Sequence, residues 1–320
     1  MGPKRNDEDQ NAWAERSDRL IAKEKSRWQP NGPPGESKLS PGLYIVATPI
    51  GNIRDMTLRA LDTLTGADIL ACEDTRVTAK LLRAYDIEAA SIVPYHEHNA
   101  ATMRPKLLAR LRAGAVVALV SDAGTPLISD PGYKLVREVA EAGIPVHALP
   151  GASATLAALV TSGLPSDRFL FAGFLPPREA GRRRILEELR GIPATLVFFE
   201  STRRLAESLA DMAAVLGNRD AAVGRELTKL YEEMRRAPLD VLARHYAEAG
   251  PPKGEAVVVV GPPGEVDAEP KDIDSMLDEA LATMSMRDAA AAVSGASGRP
   301  RREIYARALE LAKIRGGAGG

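Results

Sequence analysis

The chain has few cysteine and aromatic residues, and both shortages narrow the range of possible functions. Cys72 is the single cysteine among 320 residues, so a disulfide framework or a thiolate metal cage cannot form. Aromatic side chains make up 4% of the sequence, which argues against extensive platforms for stacking nucleic-acid bases. We therefore expect a protein of a reducing, cytoplasmic compartment that holds no metal.

Long apolar runs and a large excess of one charge are also missing. No segment approaches the roughly 20 apolar residues of a membrane span, and the first ten residues are mostly polar or charged, so we expect no membrane partner. The formal net charge of -1 argues against coating of nucleic acid by bulk electrostatics. Any RNA binding would need local basic patches, and we expect no DNA partner.

The pattern of the sequence predicts a tail, two α/β domains and a helical module. Residues 1–40 mix charges of both signs with few large apolar groups, which is typical of a disordered tail. Short β-type runs then alternate with amphipathic helical patterns over residues 41–155 and 156–264, which predicts two α/β domains. Residues 265–320 carry helical patterns only and predict a small C-terminal helical module. The predicted strands are 43–47, 68–72, 91–94, 116–120, 145–149, 169–174, 195–199, 221–223 and 256–260.

Three loops rich in glycine, proline and small residues follow predicted strands, where open parallel sheets bind ligands. The sequence TPIGN at 48–52 is either a binding turn or a plain connection. The loop SDAGTPLISDPG at 121–132 would expose backbone N–H and C=O groups to a ligand, or else form a structural turn in which Asp130 caps a helix. The segment PGASAT at 150–155 opens a helix whose N-terminus could receive a carboxylate. The Gly-rich cradles of dinucleotide and triphosphate sites are missing.

Together these loops and several further motifs resemble a known family. They are LYIVATPIGN, EDTR at 73–76, the 121–132 loop, SGLPSDRF, GFLP at 173–176, FEST at 199–202 and RELTK at 225–229. In this order they are similar to the ribosomal RNA small subunit methyltransferase I (RsmI) family, which has the tetrapyrrole-methylase fold. The resemblance covers about residues 43–261 and extends more loosely to the C-terminal helices.

The resemblance implies two α/β domains with a cofactor cleft between them. It also implies an S-adenosylmethionine-dependent enzyme that methylates the 2′-hydroxyl of a cytidine in the decoding region of 16S rRNA. The substrate would be the small ribosomal subunit, and the enzyme would be a homodimer. Motif matching places nine residues at the cofactor: Pro49, Ser121, Asp122, Ala123, Gly124, Ser153, Ala154, Glu226 and Glu255.

Two positions depart from the family pattern. Arg203 stands where the family commonly has a histidine, so no histidine there can serve as a base. Ala100 follows the segment His-Glu-His-Asn, at a position where the family commonly has a glutamate. Both departures leave the cofactor loops intact and the catalytic assignments open.

A ribose hydroxyl is a poor nucleophile until its proton begins to leave, so a nearby carboxylate or neutral histidine would accelerate the transfer. The candidates are Glu73 and Asp74, which follow a strand, and His96 and His98. The alternatives are that Asp74 caps a helix and that the two histidines are solvated loop residues.

Local positive charge could bind the RNA backbone. Any single cluster could equally be a solvated face, and Arg76 could instead pair with a carboxylate. Low aromatic content favours recognition by RNA shape and backbone. The candidate RNA-binding residues are Arg76, Arg182, Arg183, Arg184, Arg203, Arg204, Arg301 and Arg302.

Two other functions remain open at this point. A tetrapyrrole methylase would share the fold and the cofactor but would not need a basic helical module. A non-catalytic RNA-binding assembly factor would have no need for three ligand-type loops at successive strand ends.

Overall fold

A computed structural model describes residues 39–264 and 270–316 of the chain. The predicted disordered tail lies almost entirely outside these residues. The molecule divides into two compact units, one up to residue 262 and the other from residue 263. Within the described ranges, no helix is both long and apolar enough to cross a membrane.

The first unit begins with a parallel five-stranded sheet. Its strands are β1 (Gly42–Val46), β2 (Ile69–Cys72), β3 (Ile92–Pro94), β4 (Val116–Val120) and β5 (Val146–Leu149). The spatial order is β3-β2-β4-β1-β5, and every neighbouring pair is parallel. The predicted strands are therefore confirmed to within a residue or two. Residues of β2 and β4 are buried throughout, as expected for strands covered on both faces.

Four helices connect these strands. They are α1 (Leu58–Gly66), α2 (Thr75–Ala84), α3 (Ala100–Arg112) and α4 (Tyr133–Glu141). One face of the sheet packs against α1 through Leu61 and Leu64, and the other against α3 and α4 through Leu107 and Leu135. The alternative that Asp130 caps the last of these helices is wrong, because that helix begins after Gly132 without a side-chain cap.

The second sheet is mixed. Its strands are β6 (Phe169–Phe174), β7 (Thr195–Ser201), β8 (Asp220–Arg225), β9 (Glu233–Pro238) and β10 (Glu255–Val260), in the order β6-β7-β10-β8-β9. Only β6 and β7 are parallel, and the remaining pairs are antiparallel. The prediction missed β9, whose sequence EMRRAP carries three charges and ends in proline. Charges and proline are typical of an edge strand that avoids further pairing.

Four more helices complete this unit: α5 (Ala154–Ser162), α6 (Glu179–Leu189), α7 (Leu205–Leu216) and α8 (Leu239–Ala249). Helices α6, α7 and α8 cover one face of the second sheet. Helix α5 directly follows the last strand of the first sheet, yet its Ala158 and Leu159 pack on the other face of the second sheet with Val197 and Val257. The start of α5 therefore lies where the two sheets meet.

The second unit is a three-helix cluster, as predicted for the C-terminal module. It consists of α9 (Pro270–Leu281), α10 (Met286–Ser297) and α11 (Arg301–Gly316). Ser285 caps α10 by accepting a hydrogen bond from the backbone N–H of Asp288. Apolar side chains from all three helices form its core: Ile273, Leu277, Ala290, Val293, Ile304 and Ala308.

Candidate functional site

A cavity of about 460 Å³ opens between the carboxyl ends of the first sheet and the second sheet. Loops after β1, β2, β4 and β5 form one side, and the ends of β6, β7, β8 and β10 form the other. This is where ligands bind in open α/β folds. Eight of the predicted site residues line the cavity: Glu73, Asp122, Ala123, Gly124, Ser153, Ala154, Glu226 and Glu255.

The loop after β4 is held against the loop after β1. Thr48 and Gly124 exchange two backbone hydrogen bonds of 2.9 and 3.0 Å, and the buried Ser121 hydroxyl donates to the Gly124 carbonyl at 3.2 Å. Gly124 has a φ of +79°, a conformation that favours glycine. The buried Ser121 thus stabilises the conformation of the loop. Pro49, the residue after Thr48, does not line the cavity.

The N-terminus of α5 opens into the cavity. Ser153 caps the helix by accepting from the backbone N–H of Leu156 at 3.4 Å. The neighbouring Thr155 hydroxyl is buried and has no hydrogen-bond partner, although it lines the cavity. A helix N-terminus with a free hydroxyl donor suits an anionic group such as a carboxylate.

Three carboxyl groups gather on the first-sheet side of the cavity. Burial raises the pKa of Glu73 above its usual value, and the negative charges of Asp130 and Asp122 raise it further. The pKa values of Asp122 and Asp130 are also raised, in each case chiefly by burial. A glutamate with a raised pKa is suited to accept a proton. Of the four candidate bases, Glu73 is the one that lines the cavity.

Asp74 caps a helix, which was the alternative to a role as catalytic base. Its carboxylate caps α2 by accepting from the Arg76 backbone N–H at 2.8 Å and pairs with the Arg76 guanidinium at 2.6 Å. These bonds lower the pKa of Asp74 to about 2. Arg76 in turn is highly exposed while it pairs with this carboxylate, so it remains at the surface beside the cavity.

The two candidate histidines lie elsewhere. His96 and His98 occupy the turn before α3, with ring centroids 6.0 Å apart, and neither lines the cavity. The His96 backbone N–H donates to the Asn99 side chain. In residues 39–264 and 270–316, no three His, Cys, Asp or Glu side chains are placed to hold a metal ion.

Paired charges form the second-sheet side of the cavity. Lys229 donates to Glu226 at 2.8 Å and to Glu255 at 2.9 Å, and the first of these bonds lowers the pKa of Glu226. Thr228 accepts from the backbone N–H of Asn52, which joins this side to the loop after β1. A side chain at Gly254 would collide with the Glu226 carboxylate. Glycine at this position therefore allows the turn before β10 to lie directly against Glu226.

Glu200, which lines the second-sheet side of the cavity, pairs with the partly buried Arg204. The Glu200 carboxylate accepts from Arg204 at 2.8 Å and from the Ser208 hydroxyl at 2.6 Å, and its side chain is fully buried. Arg204 therefore neutralises a buried charge, whereas the adjacent Arg203 is exposed.

The arginines of α6 do not behave alike. Arg182 is buried, and its guanidinium pairs with Asp211 at 2.6 Å. It is not accessible to a phosphate in this structure, so Arg182 is a framework residue here and not an exposed candidate for RNA contact. The Arg183 side chain is 45% exposed and pairs with Glu179 and Asp211, whereas that of Arg184 is 76% exposed, so Arg184 is the most accessible of the three.

Among the described residues of the helical unit, some basic side chains are exposed and others are held in ion pairs. Arg301 and Arg302 are exposed at the start of α11. Arg307 instead forms a two-pronged pair with Asp274, with contacts of 2.8 and 2.6 Å. Arg307 is therefore engaged within the unit and is less available to a phosphate than Arg301 or Arg302.

Several cavity residues were not assigned from the sequence. Thr155, Phe174 and Lys229 all line the wall. Phe174 and Lys229 lie in motifs that carried the family resemblance, and Thr155 lies in the predicted ligand loop at 150–155, so these segments were the right ones. The side chains that face the cavity could not be read from the motifs, because this depends on local backbone geometry.

Comparison with known proteins identifies the class. The family described as Tetrapyrrole (Corrin/Porphyrin) Methylases matches residues 42–243, and the chain belongs to this family. The domain described as RsmI C-terminal HTH domain matches residues 267–312. The predicted α/β methylase fold with a C-terminal helical module is confirmed.

The chain is also similar to individual members. It is 56% identical over 284 residues to Ribosomal RNA small subunit methyltransferase I of Mesorhizobium japonicum, covering 88% of this chain and 96% of that one. It is 45% identical to the protein of that name from Escherichia coli O157:H7, over 84% and 94% of the two chains. A crystal structure of diphthine synthase shares the fold, with a TM-score of 0.55 at 18% identity over 68% of this chain and 89% of that one.

Proposed function

We propose that this protein transfers a methyl group from S-adenosylmethionine to the 2′-hydroxyl of a cytidine in the decoding region of 16S rRNA. The observation that carries the proposal is the cavity with Glu73 in its wall, in a chain more than half identical to a ribosomal RNA methyltransferase. The substrate is the small ribosomal subunit, and the enzyme acts as a homodimer in the cytoplasm.

The cavity fits the chemistry of the cofactor. The start of α5 offers backbone N–H groups and the unpartnered Thr155 hydroxyl to a carboxylate. The loop at residues 121–125 offers backbone groups to the nucleoside, and at position 124 no side chain covers the backbone. Negative charge from Asp122 and Asp130 favours a cationic sulfonium nearby.

S-adenosylmethionine, when bound, supplies a methyl group that the sulfonium has already activated for transfer to oxygen. Most of the remaining work is to hold the acceptor hydroxyl in line. Glu73 accepts the proton that leaves the ribose hydroxyl as its oxygen is methylated. Its raised pKa makes it a stronger base than an ordinary glutamate.

The helical unit favours RNA over a tetrapyrrole as substrate. It matches a domain that accompanies rRNA methyltransferases, and it presents Arg301 and Arg302 to solvent. Exposed arginines contact phosphates without reading the base sequence. Arg76, Arg183, Arg184 and Arg203 supply further exposed charge on the first unit, and Arg204 keeps its structural pairing.

A transfer assay tests the proposal. Purified small subunits that lack the modification are incubated with labelled S-adenosylmethionine, and nuclease digests are analysed by mass spectrometry. We expect one 2′-O-methylcytidine per subunit. A lack of label in subunits, together with methylation of a uroporphyrinogen, would instead assign the chain to a tetrapyrrole reaction.

A further inference from the structure

A bulge in β6 turns one aromatic side chain into the cavity. Along this strand Leu170 and Ala172 pack with the helices on one face, whereas Phe171 packs on the opposite face beside α5. Strict alternation would place Phe174 with Leu170 and Ala172. The pairing with β7 shifts by one residue between Phe171 and Gly173, and Phe174 then lies opposite Phe199.

The shift moves Phe174 to the cavity face. A bulge of this kind commonly re-aims a side chain next to an active site. Gly173 adopts a φ of +67° at the bulge, and a Cβ there would lie 3.3 Å from the Ser129 hydroxyl oxygen. The bulge is therefore packed against the loop after β4, which fixes the position of the ring.

The Phe174 ring is exposed although it lines the cavity. Its exposed fraction is 58%, and it contacts the edge of the Phe199 ring at a centroid distance of 5.5 Å. All five phenylalanines of the chain lie on β6 and β7. Because the exposed ring lines the cavity, it offers its apolar surface to a flat group bound there.

We infer that Phe174 is the stacking platform for the base of the target nucleotide. A base that is unstacked from its neighbours commonly packs on an aromatic side chain, while its ribose or base edge meets the catalytic groups. Glu73, the proton acceptor, lines the same cavity as the ring. A base held on Phe174 would therefore bring its own ribose into the cavity that contains Glu73.

The position of the ring favours the RNA base over the adenine of the cofactor. The groups that suit the cofactor are the loop at 121–125, on the first-sheet side, and the start of α5, where the two sheets meet. Phe174 ends β6, which is the edge strand of the second sheet. It therefore lies at an outer margin of the cavity, where a nucleotide entering from a polymer would arrive. This inference rests on the proposed RNA substrate.

The experiment replaces Phe174 and follows two affinities separately. Phe174→Ala and Phe174→Leu should raise the KM for unmethylated small subunits by about tenfold to a hundredfold, because base stacking on an aromatic ring is lost. Phe174→Tyr should keep the wild-type KM. Calorimetric affinity for S-adenosylmethionine should stay within about twofold in all three variants.

Phe169→Ala is the matched control. Phe169 is a 42% exposed phenylalanine at the opposite end of the same strand and does not line the cavity, so its KM should be unchanged. The inference is overturned if Phe174→Leu equals wild type, if cofactor affinity falls in parallel with the KM, or if the Phe174 variants change oligomeric mass by light scattering. Absence of methyl transfer to subunits by the wild-type protein would overturn the proposed function and the inference together.

Discussion

The two sides of the cavity use carboxylates in opposite ways. On the first-sheet side, Glu73, Asp122 and Asp130 are partly buried, and burial raises the pKa of each, at Asp122 even against the opposing charge of Arg76. On the second-sheet side, Glu226 is paired with Lys229 and its pKa is lowered. The first-sheet side is therefore suited to proton transfer, whereas the ion pairs of the second-sheet side stabilise the structure.

Neutralised carboxylates contribute to structure, because a cation compensates their burial. Uncompensated ones are costly to bury and are found preferentially at functional sites. The same contrast explains why Glu73 and Asp74, neighbours in sequence, have different roles. Asp74 is held by Arg76 and caps a helix, whereas Glu73 faces the cavity.

The largest expected effect is on the chemical step. Glu73→Gln should lower the single-turnover rate of methyl transfer by about 10²- to 10⁴-fold, with cofactor affinity nearly unchanged. Glu226→Gln is the matched control from the paired side and should lose less than about tenfold. Equal losses of rate in the two variants would contradict the claim that the two sides of the cavity have different roles.

The next prediction concerns the stability of the fold and the buried ion pair between Arg182 of α6 and Asp211. Arg182→Ala removes the buried cation of this pair and leaves Asp211 with only the half-exposed Arg183, at 3.3 Å, which should lower the free energy of unfolding by about 3 kcal/mol. Arg184→Ala removes an exposed arginine from the same helix and should change it by less than about 0.5 kcal/mol. Urea denaturation measures both. Similar stability of the two variants would show that Arg182 is not a framework residue.

A smaller effect is expected in the cofactor loop. A branched side chain in Gly124→Val would approach Ile50, since even a Cβ lies 3.2 Å from its Cγ2 atom, and should weaken S-adenosylmethionine binding roughly a hundredfold. Gly114→Val is the control, because Gly114 also has a positive φ, of +85°, but has no atom within 4 Å of a Cβ. Calorimetry should find normal affinity in the control; weak binding in both would indicate backbone strain alone.

The smallest effect concerns the helical unit. Asp274→Asn removes the charge partner of Arg307 and should lower Tm by roughly 1–4 °C at neutral pH, as for other exposed ion pairs. The pair lowers the pKa of Asp274. Its contribution is therefore complete above the usual aspartate pKa and is lost as the pH falls through the lowered value. A Tm difference that persisted at pH 2 would point to packing and not to charge.

Much of the fold could be predicted from the sequence, because apolar periodicity and glycine-rich turns act locally. The strand at 116–120 is an unbroken apolar run, and the helix at 205–216 has a clear amphipathic pattern. Strand β9 could not be predicted, since its charged sequence becomes a strand only by pairing with β8. Tertiary pairing overrides local preference in such segments.

The site could be predicted at the level of loops but not of individual side chains. The three small-residue loops were placed correctly at the cavity, because parallel strands bring their carboxyl ends to one edge. Glu73 could not be separated from His96 or His98, since burial and charge environment decide which group is suited to act as a base. Phe174 was missed because a one-residue bulge reverses the face on which it lies.

The pH dependence of methyl transfer tests the central claim most directly. Single-turnover rates on unmethylated small subunits, at saturating S-adenosylmethionine, are measured from acid to neutral pH for the wild type and for Glu73→Gln. The wild-type rate should rise with pH as Glu73 loses its proton, with a midpoint above the usual glutamate pKa, and should then level off. The variant should be slow and should lack this rise. The same rise in Glu73→Gln would contradict the assignment of Glu73 as the proton acceptor.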